Sequence, residues 1–252
     1  MLIATSLKMY FGYRQTLDWV RSVAEIARES PAVQAGGVEL AVLPGFPALE
    51  GAASALRGTP VTYGAQNLAF ADSGAFTGEV SGRMLAELGC TYVEIGHAER
   101  RSLFGETLDV VRAKTATAYR AGLTPILCVG ETEKGDPGKA ADICKGQIAD
   151  ALGDQDRTSG DKRLVVAYEP VWAIGAPAPA GADHIRAVCS GLKAFIAELT
   201  GIRGTIIYGG SARVGLLSQL AGEADGLFLG RFAHDPGAVR RIVDEAGDGH
   251  GQ

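Results

Sequence analysis

The chain has little of several things, and each shortage closes a class of function. No stretch reaches eighteen apolar residues, the length an apolar helix needs to cross a bilayer, so no membrane span is expected. Met1 leads straight into Leu-Ile-Ala without a basic segment. No signal peptide is therefore expected, and the cytoplasm is the expected compartment. Charge of one sign is not gathered into blocks: a net charge of -5 spread along the chain argues against a nucleic acid or a membrane surface as partner. The four cysteines, Cys90, Cys128, Cys144 and Cys189, form no CxxC pair, and His97, His184, His234 and His250 lack metal-ligand spacing. Buried free thiols and no bound metal are the expectation.

What is present is an apolar fraction of 46% over 252 residues, enough for a sizeable core and within the range of single α/β barrels. Eight short apolar or β-branched runs recur: Leu2 to Ser6, Val38 to Leu43, Val61 to Ala65, Tyr92 to Ile95, Thr124 to Val129, Leu164 to Tyr168, Thr205 to Tyr208 and Gly226 to Leu229. They are continuously apolar rather than alternating, as parallel strands covered by helices should be. Between them the period turns helical, with Leu17, Val20, Ala24 and Ala27 in the first connection and Ile185, Val188, Leu192, Ile196 and Leu199 in the sixth. Eight βα units with right-handed crossovers predict one closed (β/α)8 barrel over residues 1–252, with no strand edge exposed and no domain linker. The polar stretch Gly153 to Lys162 is expected to be a surface loop, and residues 247–252 a frayed tail.

Such a barrel carries its chemistry at the carboxyl ends of its strands. The residues just past the predicted strands include Lys8, Gln66-Asn67, His97, Glu131, Glu169, the turn Gly209-Gly210-Ser211, and Gly230-Arg231. Around Glu169 the sequence reads AYEPVWAIG, from Ala167 to Gly175. Pro170 fixes its own backbone and extends the residue before it, so a carboxylate is presented at a strand end. The sticky segment with Trp172 and Ile174 beyond it reads as a lid hinged at Pro170. Singly, Lys8 would be a surface lysine, His97 a structural histidine and Gly209-Gly210 a mere turn. Jointly, at the ends of strands of one barrel, they point to proton transfer next to a carbonyl in an anionic substrate. Glu169 is the base, His97 hydrogen-bonds the oxygen where charge develops, and Lys8 stabilises that charge. The glycine-rich turns would free N–H groups for a phosphate after the seventh and eighth strands. Glu99 is placed to hold a lysine such as Lys8, Glu131 to cap a helix, and Arg100 and Arg101 to form salt bridges. A glycosidase would need two carboxylates across a bond, a Schiff-base aldolase a desolvated lysine on the sixth strand, and a metallohydrolase a histidine cluster. None fits as well.

The segments LKM at Leu7 to Met9, GAQN at Gly64 to Asn67, GAFTGE at Gly74 to Glu79, EIGHAERR at Glu94 to Arg101, AYEPVWAIG, YGGS at Tyr208 to Ser211 and DGLFLG at Asp225 to Gly230 resemble the triosephosphate isomerase family over essentially the whole chain. The resemblance implies a cofactor-independent isomerase interconverting dihydroxyacetone phosphate and glyceraldehyde 3-phosphate through an enediolate, a step of glycolysis and gluconeogenesis. It assigns catalysis to Glu169, His97 and Lys8. Backbone contacts to phosphate go to Gly175, Ser211 and Gly230, with Gly209 and Gly210 beside them, and supporting places to Glu99 and Cys128. It further implies a homodimer in which the GAFTGE loop, with Thr77, inserts into the neighbouring subunit.

The chain departs from the family pattern in four places. Ser6 stands where an asparagine usually reaches the substrate, Ala98 where a serine follows the histidine, Ala176-Pro177-Ala178 where the lid usually reads Thr-Gly-Lys, with Pro179 stiffening the second hinge, and Arg231 where a second glycine is usual. Ser6 leaves room and Arg231 offers a charged donor to phosphate or blocks the site. Together they resemble a branch of the family acting on four-carbon ketose phosphates such as the erythrulose phosphates. The triose reaction is the first expectation and the four-carbon reaction the alternative; a non-catalytic phosphate-binding protein is the third, and the intact trio argues against it.

Overall fold

In the computed structural model, residues 1–153, 161–177 and 179–248 are described. Eight parallel strands, β1 (Leu2–Ser6), β2 (Glu39–Leu43), β3 (Thr62–Ala65), β4 (Tyr92–Ile95), β5 (Thr124–Val129), β6 (Lys162–Tyr168), β7 (Ile202–Tyr208) and β8 (Gly226–Leu229), pair in chain order and close on themselves. Closure is made by β8 against β1, with Leu2 opposite Gly226. A Cβ at Gly226 would lie 1.7 Å from the carbonyl oxygen of Leu2, so only glycine lets the two strands meet there. The architecture is the predicted closed (β/α)8 barrel.

Two apolar layers hold it. Inside the barrel Leu2, Ala4, Ala41, Leu43, Tyr92, Ile126, Cys128, Val165, Ala167, Ile207 and Phe228 fill the axis. Outside, the opposite face of each strand packs on helices, among them Tyr13–Glu29, through Val20, Ala24 and Ala27, and Ala182–Ala197, through Ile185, Val188, Leu192 and Ile196. Because strands are apolar on both faces and helices on one stripe, each buried leucine, isoleucine or valine contributes roughly 1.5–3 kcal/mol to the same closed solution. All four cysteines are buried and free.

The structure adjusts some expected limits. β6 and β7 begin earlier than their apolar runs because Lys162 pairs with Ile202 and Arg163 with Arg203: the ladder bonds backbone and does not need apolar side chains. Lys162 thus belongs to a strand and Gly153 closes the helix Pro137–Leu152, while residues 154–160 of the expected loop lie outside the described residues. The expected tail also starts later, since Gly247 and Asp248 finish the helix Pro236–Asp248; residues 249–252 are outside the described residues.

Candidate active site

At the carboxyl end of the barrel a cavity of about 720 Å³ is lined by Ser6, Lys8, His97, Glu169, Gly175, Gly209, Ser211, Gly230 and Arg231, from the ends of β1, β4, β6, β7 and β8. The strand-end rule therefore brings most of the candidates to one mouth. Gly210, which accepts a hydrogen bond from Tyr208 Oη at 2.6 Å, does not line the cavity, and neither do Gln66, Asn67 and Glu131.

Lys8 follows β1 in a left-handed backbone conformation, φ 50°, unusual for a side-chain-bearing residue and costing on the order of 1–3 kcal/mol. The conformation is held from both sides: Leu7 N–H donates to Leu43 O at 3.1 Å, and Gln66 Nε2 donates to Lys8 O at 3.1 Å. Lys8 Nζ donates to Glu99 Oε1 at 2.5 Å, the pairing expected of Glu99. Burial pulls the Lys8 pKa down, but the bond and charge of Glu99, with Glu169 and Glu94 beyond, outweigh it and raise it. Lys8 is an ammonium at neutral pH.

His97 caps the helix Ala98–Phe104: its Nδ1 accepts from the backbone N–H of Glu99 at 3.1 Å. An accepting Nδ1 carries no proton, so Nε2 does, and the neutral ring points an N–H into the cavity. A neutral imidazole at a helix N-terminus is the arrangement for which triosephosphate isomerase is the standard case. Nε2 lies 3.6 Å from Glu169 Oε2.

Glu169 is fixed at the backbone by its N–H to Val129 O, 2.8 Å, and by Pro170 after it. Its Oε2 is buried and has no hydrogen-bond partner among the described residues, which leaves its lone pairs free to accept a proton. Cys128 lies against it in the barrel interior; burial, then the charges of Glu169 and Glu94, push this thiol well above its ordinary pKa.

The lid segment Val171–Ala173 is a 3-10 turn, and Ile174, Gly175, Ala176 and Pro177 line the cavity from above. Ser211, itself at φ 62°, ties the lid down by donating to Ala173 O at 2.8 Å, and Ala180 N–H donates to Tyr208 Oη at 3.1 Å. Arg231 is exposed at the mouth with its guanidinium 3.7 Å from where a Cβ on Gly175 would lie. It stands beside the lid, at the rim.

Several readings need correction. Glu131 caps no helix. It is buried and accepts from Tyr168 Oη at 3.2 Å and Trp172 Nε1 at 2.8 Å, so it anchors the lid's first turn to the barrel. Arg100 does pair with Glu106, but Arg101 forms no salt bridge among the described residues; its Nε donates to Gly96 O at 2.7 Å. Gly209 has no amide free for phosphate, because its N–H donates to Tyr168 O at 2.9 Å. Its role is clearance: a Cβ there would be 2.6 Å from Glu169 Oε1.

One residue had not been singled out. Glu94, on β4, is 4% exposed and accepts from Ser6 Oγ at 2.7 Å, the one hydrogen bond it receives among the described residues. Its signal was a carboxylate two residues after Tyr92, on the inward face of an otherwise apolar strand. Burial pushes the Glu94 pKa up to about 6; Glu169 adds to the rise, while His97, Ser6 and Lys8 oppose it. The folded carboxyl thus holds its proton more tightly than the unfolded one. Stability consequently declines as pH rises through the ordinary carboxylate range towards 6, and the cost, roughly 2 kcal/mol, is fully present at pH 7. Glu94→Gln should therefore melt above wild type at pH 7, with the gap closing near pH ~4. Equal melting temperatures at pH 7 would contradict this.

Comparison with known proteins fits the geometry. A model of the triosephosphate isomerase family matches residues 1–246. The chain belongs to the triosephosphate isomerase family. Among relatives of this isomerase, an L-erythrulose-1-phosphate isomerase of Pectobacterium atrosepticum is 53% identical over 249 residues, covering 98% of this chain and 95% of the relative. A triosephosphate isomerase of Synechococcus is 39% identical, covering 97% and 96%. The crystal structure of triosephosphate isomerase from Bartonella henselae superposes with a TM-score of 0.80 at 28% identity, covering 96% of this chain and 97% of that one. The family member described here is a sugar-phosphate isomerase. No helix among its described residues is long and apolar enough to cross a membrane.

Proposed function

We propose that this isomerase acts on a four-carbon phosphoketose, erythrulose 1-phosphate, by the family's enediolate chemistry. The observation that carries the choice is Ser6: a short side chain on the cavity wall, turned onto Glu94, where the family's asparagine would fill the space. The 53% identity to an erythrulose-1-phosphate isomerase supports the same reading.

In this substrate the phosphate is on C1, the carbonyl at C2, and C3 bears a hydrogen and a hydroxyl. The Glu169 carboxylate takes the C3 hydrogen as a proton, and the electron pair moves to the C2 oxygen, which the Nε2–H of His97 and the Lys8 ammonium stabilise. A hydroxyl proton passes from the C3 oxygen to the C2 oxygen. Glu169 then returns its proton to C2, leaving the carbonyl at C3; numbered from the other end, the product is a 4-phosphoketose. No atom is gained or lost and no cofactor enters. The backbones at Gly175, Ser211 and Gly230 and the guanidinium of Arg231 hold the phosphate, and the lid keeps water from the enediolate.

The triose reaction uses the same three groups and is the second reading, favoured by the intact trio. The deciding measurement is kcat/KM for erythrulose 1-phosphate against glyceraldehyde 3-phosphate with one preparation. A preference for the four-carbon sugar by two orders of magnitude or more is expected; equal values or a preference for the triose would sink this substrate. The working unit in this reading is a cytoplasmic homodimer joined through the Gly74 to Glu79 loop and Thr77. The exposed apolar surface around that loop and the site supports it, with Met9 96%, Phe104 68% and Phe76 39% exposed.

A further inference from the structure

Beneath the cavity Glu94 faces Ser6 on the barrel's inner wall, apart from the other inward charged pair, Glu39 and Arg163, at the amino end of the strands. A carboxylate has about four lone-pair sites and is an acceptor only, so Ser6 must donate to it. The direction of that bond at 2.7 Å decides the rest. With its one hydrogen committed downward, Ser6 Oγ has only lone pairs to offer the cavity that it lines. Polarisation by the charge below makes that oxygen a stronger acceptor than a lone hydroxyl.

An acceptor backed by a negative charge selects what can sit on it. A phosphate or carbonyl oxygen brings no hydrogen and meets repulsion; a hydroxyl brings a hydrogen and is welcome. Gly230 and the cationic Arg231 follow β8, the neighbour of β1, and the turn at Ser211 follows β7. The cavity thus sets one acceptor pair, Ser6 backed by Glu94, among groups that donate, Lys8, His97 and Arg231.

We propose that Ser6 and Glu94 form an acceptor-only subsite for the hydroxymethyl group at the end of the substrate remote from the phosphate. The proposal rests on the four-carbon reading and gives it a residue basis: in a four-carbon 1-phosphoketose that hydroxymethyl lies beyond the two reacting carbons, whereas glyceraldehyde 3-phosphate has none and in dihydroxyacetone phosphate the hydroxymethyl carbon is itself a reacting carbon. Glu94 is a specificity-determining residue that acts through Ser6 and does not touch the reacting carbons. It also explains why a carboxylate stays in the barrel at a cost in stability, with one protein donor where several could bind: the substrate hydroxyl completes the chain.

The test measures kcat/KM for erythrulose 1-phosphate and for glyceraldehyde 3-phosphate in wild type, Glu94→Leu and Ser6→Ala. Its readout is the change in their ratio. The subsite predicts that either variant lowers the four-carbon to three-carbon ratio tenfold or more, chiefly through KM for the longer sugar. A merely structural role would lower both rates together, and a change in ratio below tenfold in both variants overturns the proposal. Ser6→Ala deletes a single oxygen and keeps the test valid if Glu94→Leu fails to fold. A wild-type ratio below one would instead sink the four-carbon reading, and the subsite would still be judged, because it is read from the change between variants.

Discussion

Glu169→Gln is expected to lower kcat roughly 10²–10⁴-fold, the contribution of a well-placed general base. The amide has the shape of the carboxylate but cannot accept a proton from carbon. The other carboxylate that lines the cavity, Glu99, is held by Lys8. His97 presents an N–H there, because its Nδ1 is occupied by the N–H of Glu99, and Lys8 is an ammonium paired with Glu99. Glu94 lies below Ser6 and does not line the cavity. KM should change little, since the phosphate contacts are untouched, and the melting temperature should stay close to that of wild type. Stopped turnover with intact folding and binding is the expected result; turnover equal to that of wild type would mean the base is misassigned.

A second large effect comes from a residue with no chemistry of its own. Gly209→Ala places a methyl group 2.6 Å from Glu169 Oε1, 2.7 Å from its Cγ and 2.9 Å from its Cδ. One side must yield. The Gly209 backbone is held by its N–H bond to Tyr168 O, in a segment continuous with β7, whereas the carboxylate is the free end of a side chain. Glu169 should therefore move by about an ångström, and a displacement of that size costs on the order of 10² in rate. The loss should fall on kcat, with circular dichroism and melting temperature near those of wild type. Activity within threefold of wild type would show that the base tolerates the shift.

Much of this site could be read along the chain because a barrel converts strand order into spatial neighbourhood. Lys8, His97 and Glu169 are far apart in sequence, yet each follows a strand, and closed parallel strands bring all their carboxyl ends to one rim. The pairing of Lys8 with Glu99 was legible for the same reason. What could not be read was the direction of side chains and the use of backbone groups. Glu131 follows a strand too, but Tyr168 and Trp172 claim it as a lid anchor. Gly209 looked like a phosphate ligand until its amide was found in the ladder that extends β6 and β7. Glu94 passed as part of a motif because a one-dimensional pattern does not say which polar residue of a strand faces the barrel axis.

The sequence by itself determined the fold class and the order of the strands, and it placed Glu169, His97 and Lys8, the proposed base, electrophile and cation, at strand ends. Those follow from local hydrophobic period and from residue types at strand ends, which neighbours in the chain specify. Only the tertiary structure decided that Nδ1 of His97 is an acceptor, that Gly209 provides clearance and not a ligand, and that Ser6 points its hydrogen at Glu94. Each of these depends on a hydrogen-bond partner or an atom in van der Waals reach supplied by a different strand or turn. Such partners are chosen by barrel closure, and no local pattern encodes them.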